Sequence, residues 1–240
     1  IEGIGSNQDG NSAVLTAPNG PSQESIYKTV LRKAGVEPRD IGFIATHGTG
    51  TSLGDPIEAR GIANVYGMDR KSPLYLGALK ANIGHTEGTA GIANLIYSLL
   101  VLRHQTIPPI CGLKTINPLV AEAIKNKNII LPKESYIRLE KEQEIKYAAA
   151  TSFGFGGTNS HIILKRYDNN VRQPPNYSPY SFNRVNLPIF EPQNSNESFR
   201  YRFVRNASNL LTDSSSTDST KFCLVSDTIE SYDEVVPNVI

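Results

Sequence analysis

The segment Gly88–Arg103 is apolar around almost its whole circumference, and it constrains the fold more than any other stretch of the chain. It begins with small residues and continues with large ones at helical spacing. A helix with so little polar surface is usually enclosed by neighbouring elements. Its large apolar residues are Ile92, Leu95, Ile96, Leu99, Leu100 and Leu102. We therefore predict a buried helix inside a layered domain.

Short apolar runs on both sides of this helix predict β-strands. The predicted strands are Ile41–Ala45, Leu74–Leu76, Tyr147–Ser152 and Ser160–Leu164. Alternation of such strands with helices indicates an α/β layered domain.

Two further helices are predicted ahead of the buried one. The first follows Pro21, with Ser22 as its predicted N-cap, and ends at Gly35. The second is Asp55–Tyr66, which has a proline in its first turn and a glycine after its last residue.

Three loops rich in Gly, Thr and Asn follow apolar strand-like segments. They are Thr46–Thr51, Lys80–Gly88 and Ser152–Asn159, and the first two hold one histidine each. Glycine lets a backbone approach a ligand closely and adopts positive φ without steric cost. We therefore predict a site where two imidazoles and exposed backbone donors surround a small reacting group.

His47 and His85 are the candidate catalytic residues of these loops. His47 ends a strand, which is where sites form in α/β folds. His85 precedes the buried helix, whose N-terminal dipole disfavours a charged imidazolium. A neutral ring there suits donation to a developing enolate. Lys80 and Glu87 flank His85 and supply an ion pair able to orient its ring.

In this order the three loops closely resemble the C-terminal half of a β-ketoacyl synthase, the ketosynthase domain of a modular polyketide synthase or type I fatty acid synthase. The resemblance covers residues 1–166. It implies the second half of a thiolase-like fold, layered α-β-α-β-α, in which two similar halves enclose a central pair of helices. The first residues, which lack an initiator Met, suggest a piece of a longer polypeptide.

The resemblance also implies roles for individual residues. His47 would donate a hydrogen bond to the thioester oxygen during loss of CO₂, with His85 as its partner and Lys80 and Glu87 in support. Thr49 and Thr51 would contact the phosphopantetheine arm. The oxyanion and gating residues would be Gly154, Phe155 and Gly156, with the Phe155 amide at the oxyanion and its ring at the acyl pocket. A tight strand connection remains the alternative interpretation of that last loop.

The reaction implied is decarboxylative Claisen condensation of an acyl thioester with a malonyl-type extender on an acyl carrier protein. No intrinsic cofactor is expected, because the carrier protein brings the phosphopantetheine. The other expected partners are the N-terminal half of the ketosynthase and, in the intact synthase, a second copy. The nucleophilic Cys of the family belongs to the N-terminal half, so the chain alone is expected to be inactive.

An alternative of another class is a non-catalytic, truncated ketosynthase that acts as an interaction segment. Cys111 and Cys223 do not match the nucleophile and are expected to be inert. His104 and His161 are expected to be structural.

Several other functions are disfavoured by the sequence. The run Gly48–Gly54 has the spacing G-x-G-x-x-x-G, one residue longer than a dinucleotide-binding fingerprint. No His-x-x-x-His, paired Cys or acidic cluster indicates a metal site. A formal charge of +1 gives no electrostatic reason to expect nucleic acid or membrane binding. Two widely spaced cysteines suggest a reducing, cytoplasmic setting.

A change in composition places a domain boundary near residue 166. All 19 glycines lie at or before Gly157, and Asn, Ser, Pro and Tyr accumulate after the boundary. We expect residues 167–240 to be a mostly disordered linker or low-complexity tail, with a possible docked patch at Phe182–Phe190.

Overall fold

A computed structural model of the chain describes residues 1–10 and 18–167. Our expectations for the tail, for its docked patch and for Cys223 lie outside these residues. The strands are β1 Gly3–Gln8, β2 Ile41–Ala45, β3 Leu74–Gly77, β4 Thr106–Ile107, β5 Ile129–Ile130, β6 Ile137–Arg138, β7 Tyr147–Phe153 and β8 Thr158–Lys165. The α-helices are α1 Gly20–Ala34, α2 Gly54–Tyr66, α3 Lys80–Ile83, α4 Ala90–His104 and α5 Pro118–Ile124. Three 3₁₀ turns occupy Pro38–Asp40, Glu87–Thr89 and Lys141–Gln143.

Six strands form one mixed sheet in the order β1-β8-β7-β2-β3-β5. The strands β7, β2, β3 and β5 run parallel to one another, and β8 and β1 add antiparallel pairs at one side. The short strands β4 and β6 pair separately. Parallel strands place their carboxyl ends at one edge of a sheet, and the loops that follow β2, β3 and β7 therefore lie near one another.

Helices cover both faces of the six-stranded sheet. On one face α1, α2 and α5 enclose a core that contains Tyr27, Ile44, Tyr66 and Ile163. On the other face α4 packs over a second core built around Phe43, Tyr97 and Val101. These residues thus form three layers, helix-sheet-helix.

The predicted helix boundaries need two corrections. The N-cap of α1 is Asn19, whose side chain accepts a hydrogen bond from the Ser22 backbone N–H, so Ser22 lies inside the first turn. Proline at the second helical position extends the helix toward Asn19, because its missing N–H is not needed there. The apolar helix begins at Ala90, because Glu87–Thr89 form a 3₁₀ turn.

Helix α4 is buried on one side only in this chain, although its composition predicts a helix that needs neighbours on every side. Its sheet-facing side carries Asn94, Tyr97, Ser98 and Val101, which are at most 7% exposed. The opposite side carries four large apolar residues at helical spacing. They are Ile92, Ile96, Leu99 and Leu100, with exposures of 60, 50, 45 and 47%.

We predict that the exposed face of α4 makes the isolated chain self-associate, because each buried Leu or Ile gains about 1.5–3 kcal/mol. The double variant Ile92→Glu/Ile96→Lys should shift the sedimentation-velocity profile toward monomer at equal protein concentration. Leu119→Lys, at an exposed apolar residue of α5, is the control and should not change the profile. A wild-type chain that sediments as a monomer would contradict the prediction.

His161 makes the fold sensitive to acid. It is 1% exposed, its Nε2 lies 2.7 Å from the Tyr66 hydroxyl, and burial lowers its pKa to about 3. The unfolded chain takes up the proton near the ordinary pKa of about 6.5, whereas the native chain excludes it until about pH 3. Stability should therefore fall as the pH drops from 6.5 toward 3, by about 1.4 kcal/mol per pH unit for this residue.

We predict that His161→Gln flattens the fall in unfolding free energy between pH 6 and 4, measured by urea denaturation. Tyr66→Phe is the matched control, because it removes the hydroxyl partner and keeps the titrating ring. Equal slopes in His161→Gln and wild type would show that His161 is not the source.

Candidate active site

The backbone of His47 is held from both sides. Its N–H donates to Oε1 of Glu58 at 2.7 Å, and its carbonyl oxygen accepts from the Lys80 ammonium. Burial raises the pKa of Glu58 and lowers that of Lys80. The His47 peptide therefore lies between an acidic group on α2 and a basic group on α3.

The ring of His47 is oriented through Nδ1. The Phe153 backbone N–H donates to this atom at 3.2 Å, and the Lys80 ammonium lies 3.5 Å from it. Two donors at Nδ1 require a lone pair there, so the proton of the neutral ring is on Nε2. Burial, with the positive field of Lys80, lowers the pKa of His47 to about 3. His47 is thus a neutral donor at physiological pH.

His85 faces His47 from the loop that leads into α4. The two rings are 6.0 Å apart between centroids and inclined at 82°. Nδ1 of His85 accepts the Glu87 backbone N–H at 2.9 Å, so its proton is also on Nε2. The ring itself is exposed. The structure therefore brings together two imidazoles that both present Nε2–H.

Lys80 and Glu87 do not act as the predicted pair on His85. Among residues 1–10 and 18–167 the ion pairs are Lys28–Glu24, Lys125–Glu122 and Arg166–Glu144. Lys80 contacts His47 instead, because α3 points its ammonium to the end of β2. Glu87 orients His85 through its backbone N–H, in a turn where its φ is +50°.

Thr49 and Thr51 lie in the exposed loop after His47. Their hydroxyl oxygens are 3.4 Å apart, and that of Thr51 also accepts the Gly54 N–H at the start of α2. Gly48 begins the loop with φ +44°, and a Cβ there would lie 2.7 Å from the Thr46 hydroxyl. A side chain at that position would distort the turn that presents both hydroxyls.

The loop that contains Phe155 is a tight connection between β7 and β8. The Gly154 N–H donates to Thr158 O at 2.7 Å, and Gly157 turns the chain with φ +83°. Gly154 and Gly156 are exposed, and Phe155 is 82% exposed. Phe153, with its ring centroid 5.3 Å from that of His47, is the nearby aromatic residue that the sequence interpretation missed.

The sequence interpretation also missed three buried polar residues near His47, which are Glu58, Asn94 and Thr151. Glu58 accepts from Gly48 N–H at 3.0 Å and from the Thr151 hydroxyl at 2.9 Å, in addition to His47 N–H. Asn94 donates to the carbonyls of Thr46 and Thr151. The signal for Glu58 was its position one turn after Asp55, on a helical face that also carries Ala59 and Ile62.

The remaining histidines lie elsewhere. His161 is buried between β8 and the helices α1 and α2, and His104 is exposed at the end of α4. Within the described ranges, no three His, Cys, Asp or Glu residues cluster as metal ligands would. No helix there is both long and apolar enough to span a bilayer.

The fold and site define an α/β protein in which two imidazoles face each other, one at the end of β2 and one in the loop before α4, each with a backbone donor at Nδ1. The sequence model of the family "Beta-ketoacyl synthase, C-terminal domain" matches residues 1–114, which include His47, Lys80 and His85. This match assigns residues 1–114 to the C-terminal domain of that family. The predicted identity, a C-terminal ketosynthase region of a polyketide synthase, and the predicted thiolase-like α/β fold are confirmed.

Similar proteins are much longer than this chain. The highly reducing polyketide synthase otaA of Aspergillus carbonarius is 38% identical over 171 residues, which is 69% of this chain and 6% of that protein. The non-reducing polyketide synthase stbA of Stachybotrys bisbyi is 40% identical over 215 residues, which is 88% of this chain and 9% of that protein. The ketosynthase from module 1 of the Bacillus amyloliquefaciens FZB42 bacillaene synthase is 34% identical, with a TM-score of 0.64, covering 72% of this chain and 31% of that one.

We predict that Glu58→Gln destabilises the chain by about 1–3 kcal/mol. Glutamine offers one acceptor oxygen where two are used, and its amide N–H₂ would face a backbone donor. The unfolding free energy in urea is the measurement. Glu122→Gln changes a carboxylate that is 73% exposed and should stay within about 0.5 kcal/mol of wild type. Equal effects of the two substitutions would contradict the central role of Glu58.

Proposed function

We propose that this chain supplies the two-histidine part of a β-ketoacyl synthase that performs decarboxylative Claisen condensation in polyketide or fatty acid biosynthesis. The observation that carries the proposal is the pair of facing rings, His47 and His85, each with Nδ1 occupied by a backbone donor. Such rings can donate through Nε2 to an oxygen that gains negative charge. We place the reaction in the cytoplasm.

The extender would bind with its thioester carbonyl oxygen between the two Nε2–H groups. As the carbon–carbon bond to the carboxylate breaks, CO₂ leaves. The electron pair of that bond stays on the extender and forms the enolate, whose oxygen keeps both hydrogen bonds. The enolate carbon then attacks the acyl thioester and expels the thiolate. The donors bind the enolate more strongly than the neutral thioester, and that difference lowers the barrier.

We propose that the extender arrives on the phosphopantetheine arm of an acyl carrier protein. The paired hydroxyls of Thr49 and Thr51 lie exposed in the loop that follows His47, where they can donate to the amide carbonyls of such an arm. The exposed loop Gly154–Gly156 would supply the amide of Phe155 to the oxyanion and its ring to the acyl pocket. These roles extend the site outward from the two histidines.

The nucleophile would come from the N-terminal half of the ketosynthase. Cys111 is exposed in the connection between β4 and α5, whereas His47 follows the central strand β2 and His85 lies in the loop that leads into α4. We propose that the N-terminal half also covers the exposed face of α4 and that the intact synthase is a homodimer. The four apolar residues of that face lack a covering element among the residues that the structure describes, and a neighbouring element that packs on them would bury them.

A second candidate function is a non-catalytic interaction segment that pairs with synthase subunits. The same exposed face of α4 favours it, because large apolar patches mark contact surfaces. The two proposals differ in the need for His47 and His85, which an interaction segment would not require.

We predict that His85→Ala, introduced into a synthase that contains this chain, lowers malonyl decarboxylation about 10²–10³-fold while acyl loading of the nucleophilic Cys survives. Decarboxylation is measured as CO₂ release and loading by mass spectrometry of the acylated protein. His104→Ala, at the exposed end of α4, is the control and should keep both rates. Unchanged decarboxylation in His85→Ala would favour the interaction segment, and loss of loading alone would reassign His85 to thiol activation.

A further inference from the structure

Asn94 is a polar side chain on the sheet-facing side of the otherwise apolar helix α4. It is 1% exposed, and both hydrogens of its amide nitrogen are used. Nδ2 donates to the carbonyl oxygen of Thr46 at 2.8 Å and to that of Thr151 at 2.9 Å. A buried carboxamide is costly unless it is satisfied in this way, so its position suggests a specific use.

Both carbonyls belong to backbone that determines the orientation of His47. Thr46 directly precedes His47 at the end of β2. Thr151 lies two residues before Phe153, whose N–H donates to Nδ1 of the His47 ring. One amide therefore fixes the backbone that carries the ring together with the backbone donor that orients it.

The same amide connects these strands to the second histidine. Asn94 lies in the second turn of α4, and the loop with His85 leads directly into that helix. The 6.0 Å separation of the two rings thus depends on how α4 sits against β2 and β7.

We propose that Asn94 is a positioning residue that sets the tautomer of His47 and the separation of His47 from His85. Its consequence for catalysis rests on the proposed function; its consequence for the ring geometry does not. The proposal separates Asn94 from residues that only attach α4 to the sheet.

Ser98 is the natural comparison because it attaches α4 to the sheet one turn further on. It is fully buried, and its hydroxyl donates to Ala149 O in β7 at 3.1 Å. Ala149 lies further from the carboxyl end of β7 than Thr151 does. Loss of this bond should therefore weaken helix docking without changing the backbone next to His47.

The first arm of the test uses the full 240-residue chain. Asn94→Leu and Asn94→Asp keep the side-chain size and remove the two donors, and Ser98→Ala is the control. Circular dichroism verifies folding. If the aspartate variant fails to fold, the leucine variant is used, because leucine is compatible with an apolar helix. Long-range ¹H–¹⁵N NMR then reports the His47 tautomer. We expect Nε2–H in wild type and Ser98→Ala, and a mixture of tautomers in the Asn94 variants.

The second arm measures malonyl decarboxylation in a synthase that contains this chain. The Asn94 variants should lower kcat about 10²-fold, as expected for misplaced catalytic groups, and change KM by less than about twofold. A folded Asn94→Leu chain with the wild-type His47 tautomer, or a Ser98→Ala chain with the same shift, would overturn the proposal. A wild-type synthase without decarboxylation would overturn the proposed function, while the NMR comparison would still decide the positioning role.

Discussion

The buried carboxylate of Glu58 is the interaction on which the site depends. Its two oxygens accept the N–H groups of His47 and Gly48 and the hydroxyl of Thr151, and so one group on α2 joins the end of β2 to β7. A carboxylate with 2% exposure is tolerated only when such donors replace its lost water. Removing it would leave several donors unpaired at once, whereas removing any single donor leaves the others in place.

Helix α4 has one face packed against the sheet and one face exposed to solvent. Toward the sheet, Asn94 and Ser98 bond to strand carbonyls while Tyr97 and Val101 fill the core. Away from the sheet, the helix presents Ile92 and other large apolar residues to solvent. Because His85 belongs to the loop that enters α4, whatever packs on the exposed side would also limit the space beside the two rings.

The sequence was sufficient for the parts of the fold that are encoded locally. The four predicted strands and the α/β class follow from apolar runs and glycines, as do both histidine loops. The partner of Lys80 could not be predicted, because the contact joins residues 33 positions apart and depends on the parallel pairing of β2 with β3. Proximity in the sequence suggested Glu87 as the partner of Lys80, whereas the packing of the fold makes His47 its partner. Asn94 escaped notice for a similar reason, since its partners lie on two separate strands.

The surroundings of His47 make its ring better suited to stabilising a negative charge than to accepting a proton. Burial lowers its pKa to about 3, and the nearby Lys80 ammonium adds to the cost of a charged ring. An imidazole in that state is a poor base at neutral pH, because it binds a proton only in strong acid. It remains a good hydrogen-bond donor through Nε2, and donation to a developing oxyanion needs no change in protonation. The position of Lys80 beside His47, rather than beside His85, therefore favours a ring that stabilises an enolate over one that activates a thiol.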